Sequence, residues 1–137
     1  NVDGLGGMPQ NSGQTPGSHY ITYAFDRVYN LDAIWLWNWN ESGYLQLGWK
    51  HIDVQISTTN GSDPSDWTTV YSGIVQQATG FDNSPPSLEL DVGGRKARYV
   101  AFINTGEGPE QENHSHGEFT NDCGIAEVRF YETGRPY

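Results

Sequence analysis

The stretch Trp35–Ser42 reads WLWNWNES. It holds three of the chain's five tryptophans at alternate positions, then turns to asparagine, glutamate and serine. A flat indole is an apolar plate for the C–H face of a pyranose ring, and Asn and Glu supply in-plane donors and acceptors for sugar hydroxyls. Continuing into GYLQLGW, the segment offers Trp39, Asn40, Glu41 and Tyr44 on one loop, which is what a sugar site needs. Trp35 and Trp37 read differently. They stand earlier, on a strand, where neighbouring loops can cover them. Asn38 alternates with Ile34 and Leu36 and reads as a core-edge amide tying two loops together.

A second stretch, NTGEGPEQENHSHGEFTND, holds His114 and His116 with Glu107, Glu110, Glu112 and Glu118, and Phe119 beside them. His-x-His on a strand aims both imidazoles one way, and carboxylates can complete a zinc or hydrolytic centre. Two other readings compete: a solvated glutamate-rich loop, or a histidine and an aromatic on a binding-site loop. No Ser-His-Asp spacing, paired-carboxylate motif or phosphate loop stands out, so the chain reads as a non-enzyme.

The elements that must position these residues alternate with period two between turn signals. YITYAFD puts Ile21, Tyr23 and Phe25 on one face. LDAIWLWN puts Ile34, Leu36 and Asn38 on one face and Trp35, Trp37 and Trp39 on the other. WKHIDVQIS turns Ile52, Val54 and Ile56 inward. WTTVYSG, SLELDV, RYVAFIN and GIAEVRFYE complete the set, the last with Ala126, Val128 and Phe130 on one face. TTNGSDPSD, FDNSPP and VGGRK supply turn chemistry between them. Seven short strands without a helical period predict an all-β, antiparallel sandwich. Residues 3–18, 39–48 and 105–123 are too long for simple turns, and long loops on a rigid sandwich are where binding sits.

Aromatics make up 13% of the 137 residues and charged residues only 18%, with 17 glycines and seven prolines, as in a turn-rich β domain of one core. The formal charge of -10 opposes nucleic acid and anionic membrane surfaces, which need a basic footprint. Cys123 is the sole cysteine, so no internal disulfide staples the fold, and it reads as a small buried hydrophobe. No apolar run approaches the ~20 residues of a membrane span. Opening on NVDGLGG, residues 1–137 read as a single module excised from a larger protein.

In order and spacing, HYITYAFDRVYNLDAIWLWNWNE, GWKHIDVQIST, DWTTVYSG, ARYVAFIN and CGIAEVRFYE resemble the discoidin fold, also called the coagulation factor V/VIII type C domain. The likeness is to its bacterial members, attached to polysaccharide-degrading and surface proteins, and spans residues 19 to 132. It implies a jelly-roll sandwich of the galactose-binding type, with about eight strands. It also implies a monomeric, secreted or cell-surface, non-catalytic carbohydrate-binding module. Such a module targets its attached domains to an oligo- or polysaccharide. The alternative is a discoidin-type adhesion module for protein or matrix. In the relatives the 105–123 loop lies beside the sugar site, which brings in His116, and His19 corresponds to a site histidine. The resemblance further implies a structural Ca²⁺ between the N-terminal loop and the last strand. Glu127 would be its side-chain ligand, the Ala126 carbonyl would lie beside it, and Asp3 would be a partner. Glu127 also reads as a plain surface carboxylate. Leu5 stands where relatives often carry a second acid. The 39–48 loop lacks the arginine that grips an axial hydroxyl in galactose binders, so galactose specificity does not carry over.

Overall fold

The computed structural model describes residues 20–105 and 124–134. Five strands form one antiparallel sheet: β1 (Tyr20–Asn38), β2 (His51–Ser57), β3 (Thr68–Ile74), β4 (Leu88–Asn104) and β5 (Ile125–Glu132), in the order β3-β2-β4-β1-β5. The only helices among the described residues are two single 3₁₀ turns, Leu45–Leu47 and Pro64–Asp66.

β1 and β4 are long because each unites two of the seven predicted strands. Their ladder breaks twice. Between Ala24 and Tyr29, four intervening residues of β1 stand against one of β4; between Leu31 and Ala33, the extra residues lie on β4. VGGRK is therefore a bulge in a continuous strand, not a turn. Gly93 and Gly94 take φ of 72° and 81° there, the left-handed region that a side chain would strain. Beyond the breaks the partners change. The first part of β1 pairs the second part of β4, which carries β2 and β3; the second part of β1 pairs the first part of β4 and β5.

The two halves face each other across one core. Phe130 on β5 meets Tyr23 at 5.4 Å and 66°, Phe25 at 5.0 Å and 79°, and Phe102 at 6.4 Å. The first two are edge-on contacts, which let ring quadrupoles attract. Ile34, Leu36, Ile52, Val54, Val100 and Phe102 are buried among them, as the alternation predicts. This is the expected sandwich, with five longer strands among the described residues where about eight shorter ones were expected. Trp67 closes a smaller cluster with Ala101 and Ile103, its Nε1 donating to the Gly61 carbonyl at 2.9 Å.

One predicted face is corrected. Ala126 does not join Val128 and Phe130 in the core. Trp37 pairs with Glu127 and Asn38 with Ile125, so Ala126 is the extra residue of a bulge and is exposed. A bulge breaks the period of two at the residue it inserts.

Candidate functional site

The strand logic changes at Asn38, and the structure shows how. Asn38 is fully buried. Its Nδ2 donates to the carbonyls of Trp49 at 2.7 Å and Gln76 at 3.0 Å. Its Oδ1 accepts from the N–H of Trp49 at 2.9 Å and of Trp39 at 3.0 Å. One amide thus fixes both ends of the 39–48 loop and the start of the 75–87 loop, as its place on the core face predicts. Gly48 makes the approach possible: a Cβ there would lie 2.6 Å from Asn38 Oδ1. Gly48 also bridges Gly124, whose N–H donates to the Leu47 carbonyl at 3.0 Å.

The loop so held carries Trp39, Asn40, Glu41 and Tyr44 together. Tyr44 is 53% exposed and follows a tight turn, its N–H donating to the Glu41 carbonyl at 2.9 Å with Gly43 at φ 90°. Glu41 is exposed. Trp39 is half-buried: a Cβ added at Gly124 would stand 3.7 Å from its ring, and its buried Nε1 meets no partner among the described residues. It is a wall of the loop more than an open plate.

Asn40 acts as a tie. Its Oδ1 accepts from the Gly80 N–H at 2.7 Å and its Nδ2 donates to the Phe81 carbonyl at 2.8 Å. That bond pattern brings in a residue the alternation does not reveal. Phe81, 74% exposed, lies on the 75–87 loop, which reads as ordinary turn chemistry in sequence. The signal available was an aromatic in a Gly-Asp-Asn-Ser-Pro-Pro setting, with no strand partner to alternate with.

Below Asn40 runs a groove of about 430 Å³ lined by Trp37, Asn40, Asp82, Asn83, Glu127 and Arg129, among others. Trp37 forms its wall, half-buried, with Nε1 donating to the Ser84 carbonyl at 3.0 Å. Trp35 packs on Tyr131 at 4.8 Å. Both tryptophans serve the sheet surface. Arg129 sits 5.1 Å over the Trp37 ring and pairs with Glu127, which holds its guanidinium above the usual range.

Two of the three expected calcium ligands, Ala126 and Glu127, lie among the described residues. Ala126 is exposed and, at its bulge, has no register partner on β1. Glu127 is exposed, as a surface carboxylate would be, and would share its oxygens between Arg129 and a cation. Ca²⁺ takes six to eight oxygens, and no cluster of three or more His, Cys, Asp or Glu occurs among the described residues. Asp3, His19, His114, His116 and Cys123 lie outside them.

No protein-family model matches the chain, and no curated protein matches it. It is similar to a solved structure described as the X-ray structure of GH31 CBM32-2 bound to GalNAc. That match has 15% identity over 90% of this chain and 69% of that one, with a TM-score of 0.58. The likeness shows the fold: the chain is an antiparallel β-sandwich like that structure.

Proposed function

We propose that the chain is a non-catalytic, sugar-binding module of the discoidin type. The observation that carries this reading is Tyr44, a half-exposed ring on a loop locked at both ends by the buried Asn38 amide. An aromatic on a tied loop that also carries the exposed Glu41 carboxylate offers a stacking surface and a hydroxyl acceptor at low ordering cost. A solved structure of this fold is described as bound to GalNAc, which supports a sugar ligand. Trp39 and Glu41 complete the wall and rim, with Asn40 positioning the loop and His116 and His19 as further contacts from outside the described residues. Stacking plus two or three hydrogen bonds gives a Kd of about 0.1–1 mM for one sugar.

The module would target a parent enzyme or surface protein to a polysaccharide outside the cell, as a monomer. A structural Ca²⁺ would tie the N-terminal segment to β5 through Asp3, the Ala126 carbonyl and Glu127. The formal charge of -10 argues against nucleic acid and anionic membranes as partners. A glycan array probed with the isolated domain tests the reading. Binding to a defined set of glycans is expected; binding to none overturns it.

A further inference from the structure

We propose that Phe81 is a second stacking surface of this site, working with Tyr44, so that the site engages a neutral glycan of at least two sugar units. This rests on the sugar-binding reading above and extends it to the ligand's length and charge.

Phe81 is held at both polar atoms of its backbone. Its N–H donates to Thr79 Oγ1 at 3.3 Å, and its carbonyl accepts from Asn40 Nδ2 at 2.8 Å and Ser84 Oγ at 2.9 Å. The Thr79 and Ser84 hydroxyls bond each other, closing the loop on itself. Gly80, at φ 86°, makes the turn and donates to Asn40 Oδ1, and a Cβ added to it would stand 3.5 Å from Leu45 of the neighbouring loop. Every polar backbone atom of Phe81 is thus fixed, while its ring stands 74% exposed. An exposed ring on a slack loop can fold back onto the surface. A ring held out by a fixed backbone stays in water until a ligand covers it, and little ordering cost remains when one does.

Asn40 joins this loop to the one that carries Tyr44, so two exposed rings belong to one tied unit. Two plates suit two successive sugar faces better than one terminal sugar. The charge around them selects further. Glu41 and Asp82, each next to one of the tying segments, are exposed carboxylates. The one arginine lining the adjoining groove is paired with Glu127. Uronate and sulfate groups would meet like charge there, whereas neutral hydroxyls find acceptors.

Calorimetry with neutral oligosaccharides of one to four units, from the gluco, galacto and N-acetylhexosamine series, together with uronate oligomers, tests this. The parent should bind a disaccharide about 3- to 10-fold more tightly than the single sugar, the scale of one added aromatic contact. Phe81→Ala should lose that gain, leave single-sugar binding intact and melt like the parent; Phe81→Trp should keep the gain. A parent that binds single sugars without a gain in length sinks the inference and leaves the sugar-binding reading standing. So does a Phe81→Ala variant that retains the gain, or uronate oligomers bound as tightly as neutral ones. A parent that binds no sugar, or captures only apolar peptides, sinks both.

Discussion

The side chain of Asn38 and the backbone of Trp49 form a reciprocal pair: Nδ2 donates to the Trp49 carbonyl at 2.7 Å while Oδ1 accepts from the Trp49 N–H at 2.9 Å. The amide imitates one rung of a β-ladder where the ladder has ended. It lets a strand hand over to a loop without leaving buried backbone unpaired.

Asn38→Leu keeps the volume and removes the rung. The Trp49, Gln76 and Trp39 backbone groups then lose partners in a dry site, at roughly 1–3 kcal/mol for each unsatisfied group. A loss of about 3 kcal/mol or more in urea unfolding is expected. A loss under about 1 kcal/mol would show that the loop closes without the amide.

Gly48→Ala attacks the same junction from the other side. The new methyl would stand 2.6 Å from Asn38 Oδ1, so the amide must move. We expect about 1–3 kcal/mol of destabilisation, as for overpacked sites. Gly43, at φ 90° with nothing within 4 Å, provides the contrast: Ala there should cost about 1 kcal/mol from backbone strain alone. If the two variants melt alike, the close packing at Gly48 does not matter.

Asp26 accepts the Tyr29 hydroxyl at 2.6 Å, which holds its carboxyl below the usual range. A depressed carboxylate stabilises the fold above its unfolded pKa, and that contribution disappears as pH falls through the folded value. Tyr29→Phe should raise the Asp26 pKa toward its ordinary value in an NMR titration. An unchanged titration would mean that the hydroxyl is not the cause.

The proposed Ca²⁺ makes stability depend on the metal, because a ligand of the folded state alone adds RT ln(1 + [L]/Kd). Calcium at about a hundred times its Kd should raise the melting temperature by roughly 5–10 °C, and chelator should reverse it. Glu127→Gln should shrink the shift. A melting temperature indifferent to chelator removes calcium from the account.

Most of the fold was legible because burial imposes alternation: Ile34, Leu36, Ile52 and Val54 face the core as their spacing demands. Where backbone irregularity decides, the pattern is silent. Gly93 and Gly94 look like a turn, yet they are a bulge that lets one strand serve both halves. Ala126 looks like a core residue until an inserted position turns it out. At the site, the polar run after Asn38 announced a loop, and the core face announced the buried amide. Phe81 stayed hidden because its role depends on Asn40, 41 residues away in sequence, and period-two patterns cannot report such a contact.

Sugar binding by the 39–48 loop through Tyr44 is open to a single measurement, calorimetry of Tyr44→Ala. The titrant is the neutral glycan that the parent binds best on an array. The parent should bind with a Kd of about 0.1–1 mM. Tyr44→Ala, folded and melting like the parent, should bind at least about tenfold more weakly, the loss of one stacked ring and its hydrogen bond. Equal affinity in the two proteins would contradict the account and place the site elsewhere on the sandwich.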